Sequence, residues 1–135
     1  MKVIFDTNVV FSAFATRGLA HAVFELCLDK HTILISETIL SELFSNLQNK
    51  LKMPAENVHM IISYLRESCM LGEEAFVNKK ACRDKKDLHI LGLAEKMRPE
   101  FIVTGDENLL VLKKYRKTLI VTPREFWQKE KKRNK

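Results

Sequence analysis

Five aspartates punctuate this 135-residue chain: Asp6, Asp29, Asp84, Asp87 and Asp106. Two of them directly follow apolar runs, Asp6 after Val3-Ile4-Phe5 and Asp106 after Phe101-Ile102-Val103-Thr104-Gly105. A carboxylate at a strand end is ordinarily a helix cap or a turn residue. Asp6-Thr7-Asn8 and Thr104-Gly105-Asp106-Glu107-Asn108 carry more side-chain oxygen than a cap uses. Asp87 heads a helical phase in which Ile90, Leu91 and Ala94 follow at i+3, i+4 and i+7. Its carboxylate therefore tops an apolar stripe and is aimed at a sheet, a place where an N-cap would also put aspartate. Glu42 lies one turn after Ile39 and flanks the stripe of another amphipathic helix. Alone it reads as a surface glutamate. It gains weight because that helix leaves the same edge of the sheet.

Carboxylates that converge without basic partners repel one another and raise their pKa values. A hard divalent cation relieves the repulsion, and an all-oxygen ligand set selects Mg²⁺ or Mn²⁺ over zinc. His21, His31, His59 and His89 show neither HxH nor HExxH spacing and read as surface or packing residues. The chain lacks GxxxxGK[ST], GxGxxG and GxSxG, so nucleotide-triphosphatase, dinucleotide and serine-hydrolase chemistry lack their loops. A four-acid metal site beside a basic surface suits phosphodiester hydrolysis. The basic surface is the loop Lys79, Lys80, Arg83, Lys85 and Lys86, which adjoins Asp87 where a nucleic-acid backbone would pass. A solvated loop is the plainer reading of the same charges.

Positioning these acids requires alternating strands and helices. Apolar, β-branched runs predict strands over residues 2–5, 32–35, 75–77, 100–104 and 118–121. Helical periodicity covers 9–16, 20–30, 37–51 after a Ser36 cap, a segment opened by Pro54, 87–97, 108–115, and a last helix from Pro123 through Trp127. The strands are short and solidly apolar, as in a mostly parallel sheet of about five strands covered on both faces. Right-handed crossovers then bring the carboxyl ends of the strands to one edge, where such α/β sheets bind ligands.

The length fits one domain, assigned to residues 1–128, followed by a basic C-terminal tail over 129–135. That tail sets five basic residues against Glu130 and so holds +4 of the net charge of +6. As a like-charge run without an apolar face, it is expected to be mobile. Hydrophobic residues make up 46% and charged residues 30%, which excludes low-complexity disorder, collagen and a disulfide mini-protein. Cys27, Cys69 and Cys82 are odd in number and widely spaced, and they read as free thiols of a cytoplasmic protein. No apolar run approaches the ~20 residues of a membrane span, and the first residues do not read as a signal peptide.

Taken in order, four motifs resemble a PIN domain of the kind found as toxin components of prokaryotic toxin–antitoxin systems. They are Val3-Ile4-Phe5-Asp6-Thr7-Asn8-Val9-Val10, Ser36-Glu37-Thr38-Ile39-Leu40-Ser41-Glu42-Leu43, Cys82-Arg83-Asp84-Lys85-Lys86-Asp87 and Val103-Thr104-Gly105-Asp106-Glu107-Asn108-Leu109-Leu110. The resemblance covers nearly the whole chain. It implies a PIN-like three-layer α/β fold with strand order near 3-2-1-4-5, and a metal-dependent nuclease acting on RNA. It also implies a small antitoxin partner and frequent homodimers. The family's acidic quartet falls on Asp6, Glu42, Asp87 and Asp106, with Asn8, Thr104 and Asp84 as supporting groups. Two features depart from the pattern: Lys85 and Lys86 replace a proline and a further acid, and Asn108 stands where many relatives have aspartate. Two rivals share the strand-end aspartate. A haloacid-dehalogenase-type or receiver-type phospho-acceptor needs a second acid at position 8 or paired acids after the first strand, and neither is present. A PIN-like nucleic-acid-binding module without catalysis needs none of the four acids, yet all four are present.

Overall fold

The computed structural model describes residues 1–133. In chain order the elements are β1 (Lys2–Phe5), α1 (Thr7–Ala15), α2 (Leu19–Lys30), β2 (Thr32–Ile35), α3 (Glu37–Lys50), α4 (Ala55–Ser68) and β3 (Met70–Leu71). After two single turns of 3₁₀ helix come α5 (Leu88–Met97), β4 (Phe101–Val103), α6 (Glu107–Leu110), β5 (Lys114–Tyr115), β6 (Thr118–Val121) and α7 (Pro123–Arg133). They build a six-stranded sheet in the order β3-β2-β1-β4-β6-β5. All pairings are parallel except that of β5 with β6.

Period-two alternation along the central strands divides the interior into two cores. Val3, Phe5, Ile33, Ile35, Val103 and Val121 face one side, against Leu40, Leu43 and Leu47 of α3 and Phe126 of α7. Ile4, Leu34, Ile102 and Ile120 face the other, against Ile90, Leu91, Leu93 and Ala94 of α5. The register pairs Ile4 with both Leu34 and Ile102, and Ile102 with Ile120, so the second face is one continuous apolar row. Both faces being covered explains why the strands read as solid apolar runs. This is the three-layer α/β architecture that the resemblance implies, with the parallel strands in its order and β5 added at one edge.

The start of α3 follows from sequence chemistry, because the Ser36 hydroxyl accepts a hydrogen bond from the Ile39 amide at 3.2 Å. Elsewhere the elements differ from the expectation in three places. The third strand is Met70–Leu71, not 75–77. Ala75 instead donates its amide to the Gly92 carbonyl of α5 at 3.0 Å, so this segment is a strap laid across a helix. Gly92 makes the crossing possible: a Cβ there would sit 2.7 Å from the Ala75 carbonyl oxygen. Second, 108–115 is not one helix. After α6 the chain turns into β5, and a hairpin through Arg116, at φ 56°, returns it to β6. Third, α7 continues through Lys129 to Arg133. Its Glu130 is buried and meets His31 Nε2 at 2.9 Å, so this part of the basic run is anchored helix. The last two residues of the expected tail lie outside the described residues.

Cys27, Cys69 and Cys82 are free thiols. Burial pushes Cys27 up to about 12 and Cys69 up to about 11, which keeps both protonated near neutrality. Among the described residues no single helix is long and apolar enough to cross a membrane.

Candidate active site

The acids converge where the carboxyl ends of β1 and β4 meet the starts of α3 and α5. Asp6 leaves β1 with its amide bonded to the Val103 carbonyl at 3.0 Å. It stands at the head of α1, but its side chain makes no capping hydrogen bond, so the carboxylate remains available to the cavity beyond. The buried Thr104 hydroxyl donates to Asp6 Oδ2 at 2.8 Å and accepts the Asp106 amide at 3.0 Å. One hydroxyl thus fixes two acids from adjacent strands. Asp106 uses Oδ1 to accept the Asn108 amide at 2.8 Å and so caps α6. Asp84 accepts the Lys86 amide at 2.9 Å in the same manner. Asp87 ends the second 3₁₀ turn and also makes no capping bond.

A cavity of about 470 Å³ gathers these groups, with Asp6, Asn8, Glu42, Asp84, Lys86, Asp87 and Asp106 in its wall. The structure therefore brings all four members of the sequence-derived quartet to one place. Among its carboxylates, Asp84, Asp87 and Asp106 each present an oxygen within 4.8 Å of the others, a set that takes in the supporting residue Asp84 and leaves out Asp6 and Glu42. Thr104 lies behind the cavity and acts on it through Asp6. Of the five basic loop residues, Lys86 alone is in the wall. Lys79, Lys80, Arg83 and Lys85 are exposed and do not line it, and none of the five forms an ion pair among the described residues.

Sequence reasoning missed two groups. His89 has a mostly buried ring, 13% exposed, whose Nε2 lies 3.1 Å from Glu42 Oε1. The Thr7 hydroxyl donates to the same oxygen at 2.6 Å. Together they hold one oxygen of Glu42 and leave the other free. No local pattern announces these contacts, because Thr7 lies 35 residues from Glu42 along the chain. His89 follows Asp87 by two positions, a spacing with no metal-site signature.

The electrostatics are those of acids that outnumber their basic neighbours, Lys86 in the wall and His89 against Glu42. Burial, the adjacent Asp106 carboxylate, and the charges of Asp6 and Asp84 push Asp87 up from an ordinary 3.8 to about 7. Burial also raises Asp6, with Asp106 adding to the shift and the Thr104 hydrogen bond opposing it. Asp87 Oδ2 is buried and has no hydrogen-bond partner. An orphaned carboxylate oxygen amid three other acids is costly for the protein alone and fits a hard divalent cation. The residues present therefore suit such an ion, and Asp84, Asp87 and Asp106 form the tightest set to hold it.

Residues 2–108 match the family model described as PIN domain. Comparison with curated proteins gives no match. Among solved structures, the chain is similar to VapBC2 from Rickettsia felis, bound to a DNA fragment from the promoter, with a TM-score of 0.62 at 16% identity. That match covers 89% of this chain and 97% of the other. FitAcB from Neisseria gonorrhoeae is similar at a TM-score of 0.53 and 13% identity, covering 90% of this chain and 97% of the other. At these identities the likeness is one of fold. The parallel sheet, the acids gathered at its carboxyl edge and a match running from β1 past the last of those acids lead to one assignment: this chain belongs to the PIN domain family.

Proposed function

We propose that the protein is an endoribonuclease that requires Mg²⁺ or Mn²⁺ and hydrolyses RNA phosphodiester bonds. One observation carries the reading: Asp84, Asp87 and Asp106 bring carboxylate oxygens within 4.8 Å of one another with no ion-pair partner among the described residues, and the buried Asp87 Oδ2 is unsatisfied. Asp6, Glu42, Asp87 and Asp106 would hold the cation together with Asp84, whose oxygen lies in the tightest set with those of Asp87 and Asp106. Bound there, a divalent ion supplies Lewis-acid stabilisation of phosphoryl charge and lowers the pKa of water. The chain's own groups do the positioning. Thr104 orients Asp6 and the Asp106 backbone, Thr7 and His89 orient Glu42, and Asn8 contributes an amide to the cavity wall. Lys79, Lys80, Arg83, Lys85 and Lys86 supply the charge that draws in and holds a phosphate backbone.

The cellular role within this proposal is the toxin of a toxin–antitoxin pair in the cytoplasm, neutralised by a small partner protein, with a homodimer as the assembly. It rests on the four-motif resemblance and is supported by the fold likeness to VapBC2 and FitAcB. The test is cleavage of a panel of RNAs and DNAs. RNA cleavage should appear with Mg²⁺ or Mn²⁺, vanish with chelator, and fall by orders of magnitude in Asp6→Asn without a lower melting temperature. Robust RNA cleavage in excess chelator overturns the metal mechanism.

A further inference from the structure

Nothing within the chain accounts for glycine at position 105. No glycine of the structure has positive φ, and a Cβ placed on Gly105 meets no heavy atom within 4 Å. Neither a left-handed turn nor close packing requires the missing side chain, although glycine carries an entropic cost. The absent side chain leaves open space beside this loop. Gly105 forms part of the wall of a second cavity of about 330 Å³, inside the ~300–1,000 Å³ range of ligand pockets. This cavity shares Asn8 and Asp106 with the acidic one, so the two are neighbours across those residues.

Their chemistry differs. Lys86 lines the acidic cavity, whereas no lysine or arginine among the described residues lines the second. A phosphate has no counter-charge there. The walls offer instead the Asn8 amide, the Ser12 hydroxyl, and the apolar surfaces of Ala20 and Pro123. Amide and hydroxyl groups suit a ribose 2′-OH, and apolar walls suit the faces of a base. We propose that this cavity, opened by Gly105, is the subsite for the base and ribose of the nucleotide adjoining the scissile phosphodiester. The inference rests on the nuclease reading. The phosphates then run past Lys86 and the basic loop, while the neighbouring nucleoside seats on the uncharged side of Asp106.

The test fills the cavity from two different elements, with Gly105→Leu from the loop after β4 and Ser12→Leu from α1. Binding of a fluorescein-labelled short single-stranded RNA to the full chain is followed by anisotropy in chelator. Mn²⁺ affinity is measured by calorimetry, alongside the melting temperature. Both variants should lose about tenfold in RNA affinity, the order expected when one hydrogen bond and the apolar contact of a base are lost. They should keep the Mn²⁺ affinity and melting temperature of the parent, and raise KM with kcat retained. An RNA abasic at the nucleotide beside the cleaved bond should lose the same factor on the parent protein and nothing further on Gly105→Leu. If the parent binds and cleaves RNA and both variants match it, the subsite is overturned and the nuclease reading stands. A parent that does not cleave RNA with Mn²⁺ overturns both. Weakened Mn²⁺ binding in the variants assigns the effect to Asp106 and overturns the subsite.

Discussion

Asp87 shows how one side chain couples stability to function. Its pKa is raised from 3.8 to about 7 in the folded protein, so between those values the native state holds a proton that the unfolded chain has lost. Stability of the metal-free protein should therefore fall as pH rises from about 4 to about 7 and level off above. Asp87→Asn removes the ionisation, so in chelator at pH 8 its melting temperature should exceed the parent's by roughly 3–6 °C per ~1 kcal/mol relieved. The gain should vanish near pH 4. Calorimetry at the two pH values checks this, and a variant less stable than the parent at pH 8 contradicts it. His89 acts on the site through Glu42. His89→Ala should weaken Mn²⁺ binding by ~10–100-fold, the usual cost of removing a group that orients a ligand. His89→Gln, which keeps an N–H at similar reach, should recover most of that affinity. Equal losses in both variants would show that His89 supports packing instead of Glu42.

Among the elements, the strap across α5 and the end of α7 depend on contacts far apart in sequence. Gly92→Ala puts a methyl 2.7 Å from the Ala75 carbonyl oxygen. Backbone must move to admit it, and the expected cost is ~1–3 kcal/mol, as for other overpacked sites. Chemical denaturation measures it, and a neutral result would mean that the strap is free to lift. The basic C-terminal run carries two effects. Deleting residues 129–135 should flatten the salt dependence of RNA binding, because fewer counter-ions are released. It also removes Glu130 from His31, whose side chain is 7% exposed, and stranding a buried polar group costs ~1–3 kcal/mol. Paired binding and melting measurements separate these outcomes. An unchanged salt slope with a lower melting temperature would leave the run a structural role alone.

For the whole molecule, the acidic edge is a place where folding and ligand binding oppose each other until a cation arrives. Mn²⁺ at about 100 times its Kd should raise stability by ~2.7 kcal/mol through mass action. In Asp87→Asn, where the repulsion is already relieved and a ligand is lost, the same ion concentration should stabilise far less. Thermal shift across a Mn²⁺ titration reads both. A parent whose melting temperature ignores Mn²⁺ would show that the four acids do not gather an ion.

What the sequence determined by itself was local. An apolar run ending in aspartate defines β1 with Asp6 and β4 with Asp106, because a strand covered on both faces must be apolar until it emerges at the edge. The Ser36 cap and the helical phase from Asp87 to Ala94 were legible for the same reason: each is written within a few residues. The PIN family could be read from such motifs in order. Tertiary structure alone decided the rest. Ala75 pairs with a helix carbonyl instead of a strand because its acceptor, Gly92, becomes adjacent only when α5 docks. Glu130 reads as the lone acid of a solvated basic run until α7 brings it against His31, 99 residues away along the chain. His89 and Thr7 reach Glu42 only once α1, α3 and α5 share an edge. Hydrogen bonds between distant residues leave no period in a sequence, whereas burial of a strand or a helix face must.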